Sequence, residues 1–226
     1  MRRRARVGGG RPAGGGTGRH ARFPGGDGGR GRGSDTALRI GVLISGEGTN
    51  LQALIDAADI DVACVVSSRP DARGIERAAG AGIPAVATAD EAETAAFLDG
   101  HEVELVVLAG YMRILSPEFV GRYSGRIMNV HPSLLPAFPG RTPIADALAH
   151  GVKVTGVTVH LVDDGVDTGP VVLQEAVAVR DDDDWDSLEP RIHEVEHRLL
   201  PRAVRAMVDG RIAVDGRRVT IREERT

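Results

Sequence analysis

The sequence predicts an α/β fold: an open, mostly parallel Rossmann-like sheet flanked by helices, with a more antiparallel C-terminal half. Three observations predict it. Strand-like apolar runs recur from residue 38 onward. Helical stretches separate the earlier runs, and strand–helix–strand alternation builds parallel sheets with right-handed crossovers. After residue 150 the runs are separated by little more than a turn, which suits antiparallel pairing.

The first strand, 38–44, is an aliphatic run closed by Ser45-Gly46. A helix over 50–58 follows. The strand 62–66 reads Val-Ala-Cys-Val-Val, and a helix is predicted over 75–81. The strand 84–87 leads to a helix over 92–98. The strands 105–109 and 127–130 are aliphatic runs ended by Gly110 and by Pro132. Proline cannot continue a ladder, so it closes the strand. The strands 154–162 and 171–177 form the antiparallel part. A long amphipathic helix, 188–208, follows, with a kink expected at Pro201. Ser187 is its expected N-cap, which puts Pro190 at the third helical position. Asp181, Asp182, Asp183 and Asp184 precede it, where negative charge is favourable. Asp215-Gly216 makes a hairpin turn between 211–214 and 217–221.

The chain has 226 residues, 42% of them hydrophobic, enough for a sizeable core. Residues 1–36 form a Gly/Arg-rich extension, and 37–226 the folded domain. Within 1–35, nine arginines against Asp27 and Asp35 give a net +7, so the remainder carries −11 of the total −4. A segment with so few large apolar residues cannot offset its chain entropy, so disorder is expected there. The acidic body argues against nucleic-acid binding by the folded part. The single cysteine, Cys64, excludes a disulfide framework and fits a reducing, cytoplasmic compartment. No apolar run reaches the roughly 18 residues of a membrane span.

The most informative motif is Met128-Asn129-Val130-His131-Pro132. On a strand, residues i and i+2 share a face, so Asn129 and His131 reach one point. Open α/β folds place their sites at this edge. Asp167 follows in the Gly/Pro turn Val166-Asp167-Thr168-Gly169-Pro170. Asn, His and Asp together can manage a proton and an oxyanion at one carbon.

A second motif, Ser45-Gly46-Glu47-Gly48-Thr49-Asn50-Leu51, joins strand to helix. Small residues and free first-turn N–H groups suit a phosphate. The third glycine of a dinucleotide fingerprint is replaced by Leu51, and Ser67-Ser68-Arg69 offers no ribose-binding acid, against a nicotinamide cofactor. No lysine follows the glycines, so this is not a Walker loop.

His193-Glu194-Val195-Glu196-His197 matches the zinc-protease signature H-E-x-x-H. A catalytic zinc needs a third protein ligand, and none occurs over 198–208. A charged, solvated helix face is the simpler reading, unless Glu196 points into the catalytic cleft. His160, two residues after Thr158, is either a hydrogen-bonded core residue or a cleft residue. His20, His101 and His150 are expected on the surface.

Together these residues resemble the folate-dependent glycinamide ribonucleotide transformylase family, the phosphoribosylglycinamide formyltransferases. The resemblance spans about 38–221. Its landmarks are Leu43-Ile44-Ser45-Gly46-Glu47-Gly48-Thr49-Asn50-Leu51, Leu108-Ala109-Gly110-Tyr111-Met112-Arg113-Ile114-Leu115, the Asn129 to Pro136 motif and the Asp167 turn. The resemblance implies formyl transfer from 10-formyltetrahydrofolate, a co-substrate, to the amine of 5′-phosphoribosylglycinamide in purine synthesis, without a metal. It implies a phosphate site at Gly48, Thr49 and Asn50. It implies a folate pocket at Met112, Arg113, Ile114, Leu115 and Asn129, and an acceptor ligand at Glu196. Asn129, His131 and Asp167 match the catalytic group. After Pro139-Gly140, where relatives commonly carry histidine, this chain reads Arg141-Thr142-Pro143-Ile144-Ala145-Asp146.

Three other readings are set beside this one. Formyltetrahydrofolate deformylase shares the fold and triad but uses water as acceptor, and normally carries an N-terminal regulatory domain that residues 1–35 cannot form. Methionyl-tRNA formyltransferase needs a C-terminal tRNA-binding domain. An Arg-Gly RNA-binding protein would make the N-terminal extension the working part.

Overall fold

The computed structural model describes residues 38–223. The expected disorder of 1–36 and the position of His20 lie outside the described residues.

Elements follow in the order β1 (Ile40–Ile44), α1 (Thr49–Ile55), β2 (Val62–Ser67), α2 (Arg73–Gly80), β3 (Ala85–Ala87), α3 (Glu91–Gly100), β4 (Leu105–Leu108), α4 (Pro117–Arg122) and β5 (Ile127–His131). Then come α5 (Pro143–His150), β6 (Val154–Leu161), β7 (Val171–Ala178), α6 (Trp185–Val208), β8 (Ile212–Asp215) and β9 (Arg218–Ile221). The main sheet has seven strands in the order β3-β2-β1-β4-β5-β6-β7. Strands β1 to β5 are parallel, whereas β6 and β7 are antiparallel. This is the predicted architecture. A separate β8–β9 hairpin closes the chain.

Strand composition explains the layering. Every residue of β1, β2 and β4 is buried, because helices cover both faces of this parallel part. One core layer holds Ile40, Val42, Ile44, Leu51, Leu54 and the buried face of α6, including Leu188, Ile192 and Leu199. The opposite layer holds Leu43, Cys64, Val106, Leu98 and Phe119. Truncating such a leucine to alanine typically destabilises by about 2–5 kcal/mol.

Three local readings change. α4 and α5 were not expected: both are short and begin with proline at the first turn, which reads as turn chemistry in sequence. The divergent Arg141 to Asp146 stretch is the entry to α5, and its Ile144 is buried in the core. The N-cap of α6 is Asp184, not Ser187. Asp184 accepts from the Ser187 N–H at 3.0 Å and the Ser187 hydroxyl accepts from the Asp184 N–H at 3.0 Å, a reciprocal capping box. Pro190 therefore lies inside the helix and not at its third position, and Pro201 lies inside it as expected. His150 is exposed as expected, but His101 is half-buried, its ring tilted against Phe97 with centroids 4.4 Å apart. Among the described residues no helix is long and apolar enough to cross a membrane.

Candidate active site

Three chain segments leave the sheet at one edge: after Ile44, after Leu108 and after His131. Leu43 pairs with Leu108, and Leu108 with Asn129, so the exits lie side by side. This is the carboxyl edge of the parallel strands, where open α/β folds bind ligands.

The first exit forms the loop to α1. Gly48 is the N-cap residue and has φ 70°, in the left-handed region. A Cβ there would lie 2.6 Å from the Gly74 Cα, so glycine is required by conformation and by the approach of α2. Gly46, by contrast, is exposed with nothing within 4 Å of a built Cβ. The loop is held from α2: Gly74 N–H donates to the Gly46 carbonyl at 3.1 Å and Arg77 Nε to the Glu47 carbonyl at 2.7 Å. Thr49 is half-buried and Asn50 buried. The N–H groups of a first helical turn have no intrahelical acceptor and face outward from the helix end.

Glu196 reaches this loop from α6, which packs on α1. Asn50 Nδ2 donates to Glu196 Oε2 at 2.9 Å, and both side chains are buried. Asn50 Oδ1 is buried with no partner. Burial pushes the Glu196 carboxyl above the usual range, against the pull of the Asn50 hydrogen bond and of His193. The zinc-like motif thus dissolves into its parts. Glu196 turns inward to Asn50, while His193 and His197 stack with centroids 5.9 Å apart. Among the described residues no three His, Cys, Asp or Glu side chains form a metal-sized cluster.

The third exit carries the catalytic candidates, and the structure brings Asn129, His131 and Asp167 together. Asn129 and His131 stand on one face of β5, two residues apart. Asp167 sits in the β6–β7 turn with φ 53°. Its Oδ2 accepts from the Gly140 N–H at 2.8 Å and lies 3.5 Å from His131 Nδ1. Its Oδ1 lies 3.4 Å from Asn129 Nδ2. The Phe138 carbonyl, 2.8 Å from His131 Nε2, can only accept, so Nε2 carries a proton and Nδ1 faces Asp167. Burial holds the His131 imidazole below its ordinary value, outweighing the Phe138 carbonyl and the Asp167 charge. Burial alone would raise the Asp167 carboxyl. The His160 ring, the Gly140 N–H and the His131 charge outweigh it and hold it below the usual range.

His160 belongs to this cluster, which settles the choice between core and cleft. It pairs across the ladder with Asn129. Its Nδ1 donates to the Leu161 carbonyl at 2.9 Å, while Nε2 lies 3.1 Å from Asn129 Nδ2 and 3.5 Å from Asp167 Oδ1, accepting from Asn129 in the neutral ring and facing Asp167 as a donor when protonated. His160 thereby fixes which way the Asn129 amide points. Thr158, two residues earlier on the same face, donates to the Ser133 carbonyl at 2.7 Å and accepts from the Leu135 N–H at 3.1 Å. Gln174 donates to the same hydroxyl and to the Leu135 carbonyl. These bonds pin the loop that carries Phe138 and Gly140. The alternation Thr158-x-His160 was the only sequence signal for them.

The second exit is the candidate folate segment. Met112, Arg113 and Ile114 are exposed and Leu115 half-buried. It begins beside Asn129, through the pairing of Leu108.

Residues 38–204 match the family described as formyl transferase. The chain belongs to the formyl transferase family. Among this formyl transferase's relatives is the phosphoribosylglycinamide formyltransferase of Mycobacterium tuberculosis, 50% identical over 202 residues, covering 81% of this chain and 94% of that protein. The trifunctional purine biosynthetic protein adenosine-3 of Drosophila melanogaster is 46% identical over 193 residues, 78% of this chain. The chain spans only 14% of that longer protein. A crystal structure of glycinamide ribonucleotide transformylase 1 from Symbiobacterium toebii superposes with a TM-score of 0.80 at 46% identity, covering 83% of this chain and 95% of that one. A formyltetrahydrofolate deformylase from Pseudomonas syringae pv. tomato shares the fold at a TM-score of 0.78, but at 29% identity over 83% of this chain and 67% of its own.

Proposed function

We propose that this formyl transferase moves the formyl group of 10-formyltetrahydrofolate to the amine of glycinamide ribonucleotide. The observation that carries the reading is the Asn129–His131–Asp167 cluster at the edge shared with the Gly48 loop. The amine nitrogen attacks the formyl carbon, forming a C–N bond and a tetrahedral intermediate with a negative oxygen. Asn129 donates to that oxygen with the hydrogen that makes the long 3.4 Å contact with Asp167, its other hydrogen staying on His160. His131 Nδ1 takes the proton released by the attacking nitrogen. The resulting imidazolium faces the Asp167 carboxylate and donates to the oxyanion or to the departing N10. Breaking the carbon–N10 bond, with that proton delivered to N10, releases tetrahydrofolate. Gly48, Thr49 and Asn50 receive the acceptor phosphate. Glu196, held by Asn50, receives the glycinamide end. Met112, Arg113, Ile114, Leu115 and Asn129 line the folate side.

A dedicated acceptor site favours the transferase over the deformylase, since water needs neither a phosphate loop nor a buried carboxylate. The partners are small molecules, and no metal takes part. The acidic body and the buried, reduced Cys64 fit a cytoplasmic enzyme that binds neither nucleic acid nor membrane. The deciding assay is turnover of 10-formyltetrahydrofolate with and without glycinamide ribonucleotide. Turnover that requires the acceptor is expected, and equal hydrolysis without it would favour the deformylase.

Thr49→Asp tests the phosphate site without straining the loop, unlike a change at Gly48. An acid at a helix N-terminus is tolerated or favourable, so the fold should hold. The added charge and the lost hydroxyl should raise KM for glycinamide ribonucleotide by about tenfold or more, since charge-assisted bonds contribute about 1.5–3 kcal/mol each. KM for the folate should stay near the wild-type value. Equal weakening of both substrates with an unchanged melt would remove the loop from the acceptor site.

A further inference from the structure

We propose that Ser45 is a positioning residue of the formyl-donor site, although it stands in the motif that leads into the acceptor loop. The inference rests on the reading that residues 112–115 line the folate pocket. Ser45 is 5% exposed, and its hydroxyl oxygen accepts from the Met112 N–H at 2.8 Å. It also shares a hydrogen bond with the Ser68 hydroxyl, 2.7 Å away. The far end of the segment is tied separately: Ser116 donates its N–H and its hydroxyl to the Glu91 carboxylate. Between the two ties Met112, Arg113 and Ile114 stand exposed, after a turn in which Gly110 has φ 72°. The segment is therefore a short bridge pinned at both ends, and Ser45 is the pin nearer the catalytic strand.

The acceptor loop does not depend on the same hydroxyl. Gly74 N–H holds the Gly46 carbonyl, Arg77 holds the Glu47 carbonyl, and Gly48 rests on Gly74. Removing the Ser45 hydroxyl thus leaves the acceptor loop tied to α2. It strands the Met112 N–H, and frees the leading end of the donor segment.

The test is a comparison of Michaelis constants in Ser45→Ala, Ser68→Ala and Ile114→Asp. The loss of one net hydrogen bond typically changes an equilibrium by about two- to tenfold, so Ser45→Ala should raise KM for 10-formyltetrahydrofolate within about that range. KM for glycinamide ribonucleotide should move by less than about twofold, a split that general loss of structure would not produce. Ser68→Ala keeps the Met112 acceptor but loses its orienting partner. It should shift the donor KM in the same direction and less, and it carries the test alone if Ser45→Ala does not fold. Equal shifts in both constants, or an unchanged donor KM in the folded variants, would overturn the proposal. Ile114→Asp separates this from failure of the folate reading. If it raises the donor KM while Ser45→Ala and Ser68→Ala do not, the pocket stands and Ser45 has no part in it. If all three leave the donor KM unchanged, the folate reading fails and the proposal with it.

Discussion

His131→Ala is expected to lower kcat by about 10²- to 10⁴-fold, the usual contribution of a general acid–base group. The geometry gives the imidazole one free nitrogen. Nε2 is committed to the Phe138 carbonyl at 2.8 Å, and Nδ1 faces Asp167. Burial keeps the ring uncharged until it receives a proton, so it meets the substrate as a base. The sign of the pH dependence follows. Protonation at low pH removes the base, so kcat/KM falls as pH drops through the His131 value. That value lies below the ordinary 6.5, and the acid limb should lie below it too. In His131→Ala the residual activity should lose that limb. The variant also takes the imidazole donor from the Phe138 carbonyl, which keeps only the 3.3 Å contact from the Ser133 hydroxyl, so a somewhat lower melting temperature is expected with the cooperative transition intact. Near-wild-type turnover from such a folded variant would remove His131 from the mechanism.

Asp167→Asn is expected to cost a similar factor, about 10²- to 10⁴-fold, for a different reason. Asparagine is nearly isosteric and tolerates the φ of 53° that Asp167 adopts, so the turn should survive. The amide oxygen can still accept from the Gly140 N–H. What disappears is the negative charge beside His131. That charge favours the imidazolium, so without it the His131 value should fall further and the acid limb should move to lower pH. A lowered kcat with an unmoved limb would assign Asp167 to some step other than support of His131. An unchanged kcat would exclude it from catalysis.

The sheet was legible in the sequence because its buried strands are aliphatic runs bounded by Gly, Pro and Ser. The short helices were not, because Pro117 and Pro143 signal a turn and a helix start equally well. Asn129 and His131 could be paired from strand periodicity alone. The resemblance gave Asp167 its role, but its position depends on the β5–β6 register and on a left-handed turn, neither of which is local in sequence. His160 remained open for the same reason: its partner Asn129 lies across a ladder. Ser45 and Met112 meet only because β1 and β4 are neighbours in the sheet, through a crossover that composition cannot number. Asp184 lost the competition for the N-cap to Ser187 on paper because both residues are good caps, and the capping box uses both.

The direction change at β5 has an evolutionary consequence. The groups proposed for bond making and breaking all come from the stretch between Asn129 and Asp167, from the last parallel strand, β5, onward. The groups proposed to hold the incoming nucleophile, Gly48, Thr49, Asn50 and Glu196, come from α1 with its entry loop and from α6. Acceptor choice and reaction chemistry therefore occupy separable parts of one chain. Drift in the first part can retune which nucleophile is received while the second continues unchanged, so a single ancestral reaction centre can serve descendants that formylate different amines or release formate to water.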